Sequence, residues 1–281
     1  MFKKATAHQI SFLFRQRGAV ITFFILLFLV LYNYFSNIAQ FHGMDVLEMY
    51  HPANMLSISW DRSGYQGDLM LVFSMLYPVL VACPAGFSLA RERASGEHLV
   101  ITARMGGTSY FFSKLLSVFT VTAVIFAVPF LLELGLNCIA FPTQATGNFA
   151  HLGMYEPEYV AMVKNYLFSG LFRISPYLYA VAGILFFGIL SGILGAFTAA
   201  FSCLFRVKYQ ILVFLPAFLV LNASVYLFQL LGNAGFRMEW YHYFFLFDET
   251  PKNGWYILFL MAALAVFSVI CARIGGRKDC I

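Results

Sequence analysis

Charge is scarce in this chain. Only 11% of its 281 residues are Asp, Glu, Lys or Arg, against roughly 25% in soluble domains, which excludes an ordinary soluble protein. The GxxxxGK[ST] loop that cradles phosphates is absent, so the chain cannot itself be a P-loop ATPase. HExxH and GxSxG are missing too, which removes the zincin and hydrolase-nucleophile patterns. Cysteine is sparse: Cys83, Cys138, Cys203, Cys271 and Cys280 lie in or beside apolar segments or in the C-terminal tail. No external loop holds a pair, so no disulfide framework is expected. The strict polar alternation of a membrane β-barrel is also lacking, as "AVITFFILLFLVLY" shows.

What is abundant is apolar. The chain is 61% hydrophobic, with 33 Phe and 16 Tyr. A bilayer core about 30 Å thick needs roughly 20 apolar residues per helix. Six segments meet that need, at about 19–39, 69–90, 114–140, 174–205, 209–232 and 254–273. The first is longer than a signal-peptide core and no small-residue cleavage site follows it, so it is expected to stay as a helix. With six spans both termini share a side, and that side carries thirteen Lys and Arg against five on the other. The positive-inside rule then puts both termini in the cytoplasm. A multi-pass plasma-membrane protein, of bacterial type, is the expectation. The net charge of +5 follows from this topology and an anionic inner leaflet of membrane lipids, so nucleic acid is not implied.

Residues 1–18 place Phe2, Thr6, Ile10, Leu13 and Phe14 at spacings of three and four, with Lys3, Lys4, Gln9, Arg15 and Arg17 between them. That pattern predicts an amphipathic interfacial helix closed by Gly18. The external loops, about 40–68, 141–173 and 233–253, are too short for separate domains. In the fourth span "GILSG" fits the small-xxx-small pattern of close helix contact. No internal repeat is visible, which disfavours an inverted-repeat secondary transporter. Prolines 78, 84, 129 and 216 interrupt three spans and permit kinks.

Polar constellations inside this apolar frame are few. In "HGMDVLEMYH" the side chains of His42, Asp45, Glu48 and His51 are zinc-ligand types. On a helix, steps of three fan them over half the surface, which favours a solvated external helix ended by Pro52 over metal binding. Glu133 is the one acid inside an apolar run. Counted from Lys114 at about 1.5 Å per residue it lies about 28 Å along the helix, which predicts an acid at the outer interface. Asn222, Tyr226, Gln229 and Asn233 form one uncharged hydrogen-bonding stripe on the fifth span. The residues alone support a substrate path or interhelical glue.

The charge that exists is concentrated. "ARERASGEHLVITARMGGTSYFFSK", residues 90–114, holds six of the thirty-one charges and separates the second span from the third. Within it "GEHLVITARM" predicts a short helix with Leu99, Val100 and Ala103 on one side and Glu97 and Arg104 exposed. "GG" at 106 and 107 stops it, and Thr108 is a candidate cap for the third span. A solvated surface helix and a helix docked into a partner both satisfy this pattern.

Here the chain resembles a family. A basic amphipathic N-terminal helix, six spans and "RERASGEHLVITARMGGTSYFFSKLL" after the second span look like the membrane subunit of an ABC-2 type transporter. Glu92, Gly96, Leu99, Val100, Arg104, Lys114 and Leu115 match the family's junction, while Ser113 stands where a glycine is usual.

The resemblance implies an all-α integral membrane fold of six transmembrane helices with an N-terminal interfacial helix, the type V exporter fold. It makes 1–18 the connecting helix, 19–273 the transmembrane domain, 91–113 the coupling-helix loop and 274–281 a cytoplasmic tail. Glu92, Gly96, Glu97, His98, Leu99 and Arg104 would contact a separate ATP-binding cassette subunit, which would carry ATP and Mg. The other partner implied is a second copy of the chain or a homologous permease. The aromatic loop 232–256 would close the path on the outside, and spans two and five would line it. The chain itself would have no catalytic residue and no metal. Its aromatic content suits an exported amphipathic peptide, lipid or drug-like substrate. A channel or secondary transporter is the alternative, and an intramembrane enzyme built on His42 to His51 ranks third.

Overall fold

The computed structural model describes residues 2–44, 51–60, 67–142, 164–204, 210–231 and 236–278. Eleven helices are described, joined by two 3-10 turns, Pro52–Met55 and Gln210–Phe214. The N-terminal helix α1 (Phe2–Phe14) turns at Arg15 and Gln16, whose N–H groups bond to the carbonyls of Phe12 and Leu13. Gly18 was expected to close it. It lies instead inside α2 (Arg17–Phe41), where an added Cβ would sit 2.3 Å from the carbonyl oxygen of Cys83.

The long helices α6 (Gly107–Ala140) and α8 (Pro176–Leu204) form the centre of the bundle. Their approach depends on the glycines seen in the sequence. A Cβ on Gly188 would fall 2.9 Å from the Ala123 carbonyl oxygen, and one on Gly192 would fall 2.7 Å from that of Phe119. The backbones therefore touch where "GILSG" sits, as small residues permit. The last helix, α11 (Gly254–Lys278), packs on both, while α1 and α2 pack on α6. The buried stripe of α2 steps by three and four through Ala19, Thr22, Leu26, Val30, Asn33, Asn37 and Phe41. Its other face exposes Phe24, Phe28, Tyr32 and Phe35. A helix that buries its asparagines and leaves aromatics on its outer face is matched to hydrocarbon rather than to water.

Four helices are long and apolar enough to cross a bilayer among the described residues: Arg17–Phe41, Gly107–Ala140, Pro176–Cys203 and Gly254–Arg277. The other two expected spans are shorter. Helix α3 (Gly67–Ala82) ends eight residues before the expected limit at Ala90, because Pro84 supplies no N–H and disfavours helix at Cys83. The expected fifth span is a 3-10 turn followed by α9 (Leu215–Leu231), 17 residues long.

The expected insert helix is two helices, α4 (Ser88–Ser95) and α5 (Glu97–Met105), hinged at Gly96 with φ 75°. Gly106, at φ 79°, ends α5, and its N–H bonds to the Thr102 carbonyl. The third span then starts at Gly107, seven residues earlier than predicted. Thr108 lies within its first turn and makes no cap bond, contrary to expectation.

At the far end of the bundle, α7 (Ser169–Ile174) precedes α8, and residues 236–253 fold across the top around the short helix α10 (Tyr241–Phe244). This cap is pinned to the 51–60 segment: Leu246 N–H bonds to the Ile58 carbonyl at 2.8 Å and Trp60 N–H to the Leu246 carbonyl at 2.9 Å. Below it Trp240 stacks on Tyr77 of α3, ring centroids 5.1 Å apart, within an aromatic core shared by Phe126, Phe187 and Phe244.

Candidate functional site

The charged insert is fixed from within. Lys114, 1% exposed, donates through Nζ to Glu92 Oε1, and Tyr110 donates through Oη to Glu92 Oε2. These bonds tie α4 to the first turns of α6, with both charges buried. Arg93 secures the other side, donating to the Ser202 and Cys203 carbonyls at 2.8 Å each while its guanidinium lies 5.4 Å from the Phe111 ring centre. His98 turns inward, with Nδ1 3.3 Å from the Glu92 carbonyl. Two neighbouring charges of one insert thus clamp it to two different helices.

What α5 presents outward is a separate set. Leu99 is 56% exposed and Val100 59%, and Glu97, Ala103 and Arg104 are exposed beside them. The six residues that the resemblance assigned to coupling therefore divide. Glu97, Leu99 and Arg104 face out, Glu92 and His98 face in, and Gly96 makes the turn. Lys114, matched by its position in the motif, is the buried partner of Glu92. Tyr110 and Arg93 were missed, and a tyrosine four residues before a buried lysine was the available signal.

The N-terminal helix completes this end. Its polar face is not wholly given to an interface, because Thr6 Oγ1 lies 3.2 Å from Ser113 Oγ, and Ser113 Oγ donates to Gln9 Oε1 at 3.0 Å. Ser113, which stands where the resemblance expects a glycine, helps bind α1 to α6, as does Ser117, whose Oγ donates to the Thr6 carbonyl at 3.3 Å. Lys3, Lys4, Arg15 and Arg17 remain exposed.

The fifth-span stripe is not drawn into a network among the described residues. Asn222 donates to the Phe218 carbonyl of its own helix at 2.8 Å, and Tyr226 is 64% exposed. The Gln229 side chain and Asn233 lie outside the described residues. In the His42 to His51 stretch Asp45 and Glu48 lie outside them as well. His51 is half-buried: it accepts from Ala53 N–H at 3.2 Å and packs on Tyr177, and burial pushes its imidazole below the ordinary value. Among the described residues no group of three His, Cys, Asp or Glu could hold a metal.

Glu133 departs furthest from expectation. It is fully buried, where an interfacial acid was predicted, because residues 51–58 fold over it. Asn33 Nδ2 donates to Oε1 at 2.6 Å, Ser57 N–H to Oε1 at 2.8 Å and Ser57 Oγ to Oε2 at 2.8 Å. Asn33 and Asn37 also donate to the Met55 carbonyl at 2.9 Å each. A buried carboxylate is tolerable when donors saturate it, and this one pins the segment that holds the cap. The signal lay in Asn33 and Asn37, four apart on an otherwise apolar span.

The cap has its own charged cluster. His242 Nδ1 lies 2.6 Å from Asp248 Oδ2, Thr250 N–H donates to Asp248 Oδ1 at 2.8 Å, and Lys252 Nζ donates to the Asp248 carbonyl at 2.6 Å. Burial pushes the Asp248 carboxyl up, but the His242 hydrogen bond, the Lys252 charge and the Thr250 N–H together hold it below the usual carboxylate range. Burial lowers Lys252 to about 8 against the opposing pull of Asp248. Comparison with protein-family models, curated proteins and solved structures finds no match.

Proposed function

We propose that the chain is the membrane-spanning subunit of an ATP-driven transporter of the ABC-2 type, with no ATPase chemistry of its own. One observation carries the reading: α5 offers exposed Leu99 and Val100 between the charges of Glu97 and Arg104, on an insert clamped by buried Glu92, Lys114 and Arg93. An apolar patch rimmed by charge suits a protein partner. A clamp beneath it suits the transfer of force, because a loose insert would absorb a push rather than pass it on.

On this reading α3 and α9, with the four long helices, are the six passes, and both termini face the cytoplasm of a cell membrane. An ATP-binding cassette subunit with ATP and Mg would seat α5. When two such subunits close on ATP, a pair of permeases, identical or homologous, would move as rigid bodies between inward-open and outward-open states. The cap at 236–253 would be the external closure, and the cargo an amphipathic peptide, lipid or drug-like molecule.

The test is copurification. Leu99→Asp and Val100→Asp place a carboxylate on an exposed face, so they should leave the fold intact, within about 0.5 kcal/mol. They should abolish retention of a coexpressed ATP-binding cassette subunit and its stimulated turnover. A chain that transports with no nucleotide-binding partner, or retains one unchanged in both variants, would overturn the proposal and favour a channel or secondary transporter.

A further inference from the structure

The cap holds a group of charges that the coupling reading does not use. His242 is 6% exposed and Asp248 is fully buried. An ionised Asp248 accepts from the Nδ1–H of His242, which leaves Nε2 of a neutral ring with a lone pair and no proton. Across 3.9 Å it faces Glu239 Oε2, an oxygen that is buried and has no hydrogen-bond partner. Two acceptors thus face one another at a largely buried position. Native structures rarely leave such a pair unmade.

We propose that His242 Nε2 and Glu239 Oε2 form a proton-binding site that locks the cap when the surroundings turn acidic. Protonation gives Nε2 a hydrogen to donate to Glu239 while Nδ1–H stays on Asp248, so one ring bridges both ends of the segment. A metal ion fits less well. With a neutral ring, Glu239 and Asp248 are balanced by Arg237, 3.6 Å from Glu239, and by Lys252, 3.7 Å from Asp248. A divalent cation would add two charges to that balanced set and find two ligands, whereas a proton adds one charge and fills the gap.

The remaining neighbours do not compete for the same pH range. From the 51–60 segment Trp60 packs on the His242 ring at 5.3 Å, and Tyr241 beside it is at 4.5 Å. Tyr179 of α8 feels the charge of Asp248, and Tyr256 of α11 that of Glu239. Phenols titrate far above the imidazole range. What the lock would hold is a backbone under strain. Phe247, next to Asp248, has φ 56°, a region a bulky side chain rarely adopts, and is kept there by full burial and by its N–H bond to Tyr179 Oη at 3.2 Å.

Hydrogen exchange on the intact chain in nanodiscs reads the lock. The reporters are the Leu246 amide, bonded to Ile58, and the Thr250 amide, bonded to Asp248. Between about pH 7.5 and about pH 5.5 their protection factors should rise at least about tenfold, the scale of a new charged hydrogen bond. Glu239→Gln should flatten the rise, because its amide NH2 donates to neutral Nε2 and fills the gap at every pH. His242→Gln should flatten it too. A flat wild-type profile, or an equal rise in Glu239→Gln, would overturn the proposal. So would a gain in protection at neutral pH on adding Zn2+ alone, which would make the site a metal site. The Glu239 variant keeps the test decisive if His242→Gln fails to fold.

Discussion

Removing the Lys114 charge is the sharpest perturbation that the insert offers. Lys114→Met fills nearly the same volume but leaves the Glu92 carboxylate, 7% exposed, with Tyr110 as its hydrogen-bonding side-chain partner at that end of α6. Breaking one member of a buried ion pair costs about 3–5 kcal/mol, chiefly through the stranded charge. Glu92→Met strands Lys114 in the same way and should cost a similar amount. The double variant removes both charges and leaves one unsatisfied Tyr110 hydroxyl, at about 1–3 kcal/mol. The two singles would sum to about 6–10 kcal/mol on that scale, so the cycle predicts a coupling energy of at least about 3 kcal/mol. Denaturant unfolding in detergent measures it, with partner retention followed in parallel. Glu92 variants should lose stability before they lose any partner contact, the opposite order from Leu99→Asp. Singles within about 1 kcal/mol of the parent, or a double as damaged as the sum, would refute the buried clamp.

Three further outcomes are expected. Gly192→Ala forces a methyl to within 2.7 Å of the Phe119 carbonyl oxygen and should cost about 1–3 kcal/mol or visibly separate α6 from α8, whereas unchanged stability would deny the backbone contact. Lys252, lowered to about 8 from 10.5, binds its proton more weakly folded than unfolded, so stability should rise between about pH 8 and about pH 10.5. Lys252→Met should flatten that rise, and a fall in this window would contradict the burial. The proposed orientation is read by cysteines placed in a cysteine-free background: Ile174→Cys, at a 74% exposed position at the far end, should react with an impermeant thiol reagent from outside, and Arg104→Cys should not. The reverse pattern would invert the topology.

Much of the architecture was legible because apolar length and small-residue spacing are local signals. The 25-residue run of α2 and the glycines of α8 needed no partner to be read. The failures share a cause, which is that a third element decides them. Gly18 looked like a helix stop, yet its role is set by Cys83, sixty-five residues away. Thr108 had the chemistry of a cap, but Gly106 had already set the turn. Glu133, expected as an interfacial acid, is buried instead, because a loop with no hydrophobic period folds over it. The outward half of the set that the resemblance assigned to coupling was readable from the i, i+1 pair Leu99 and Val100. The inward half was not, since a charged residue in a charged insert reads as solvated until its counter-charge is found in the next span. The cap cluster was hidden in the same way: His242 and Asp248 are six apart across a bend that neither helical nor strand spacing anticipates.

Both polar anchors sit on α6, and their placement has a mechanical consequence. Lys114 clamps the insert and Glu133 clamps the 51–60 segment, nineteen residues apart, or about 28 Å at helical rise. The 51–60 segment in turn carries the backbone bonds that hold the cap at Leu246. A displacement imposed on the insert therefore has a continuous path to the cap through one helix and two buried charges, with Pro129 as the single helix-interrupting residue between them. Energy transmitted this way would be lost at whichever anchor is weaker. Glu133 accepts three hydrogen bonds from Asn33 and Ser57, both neutral donors, while Glu92 pairs with a full charge. Both contacts are charge-assisted, because a carboxylate accepts in each, so under the proposed transporter function a push on the insert reaches the cap only while both anchors hold.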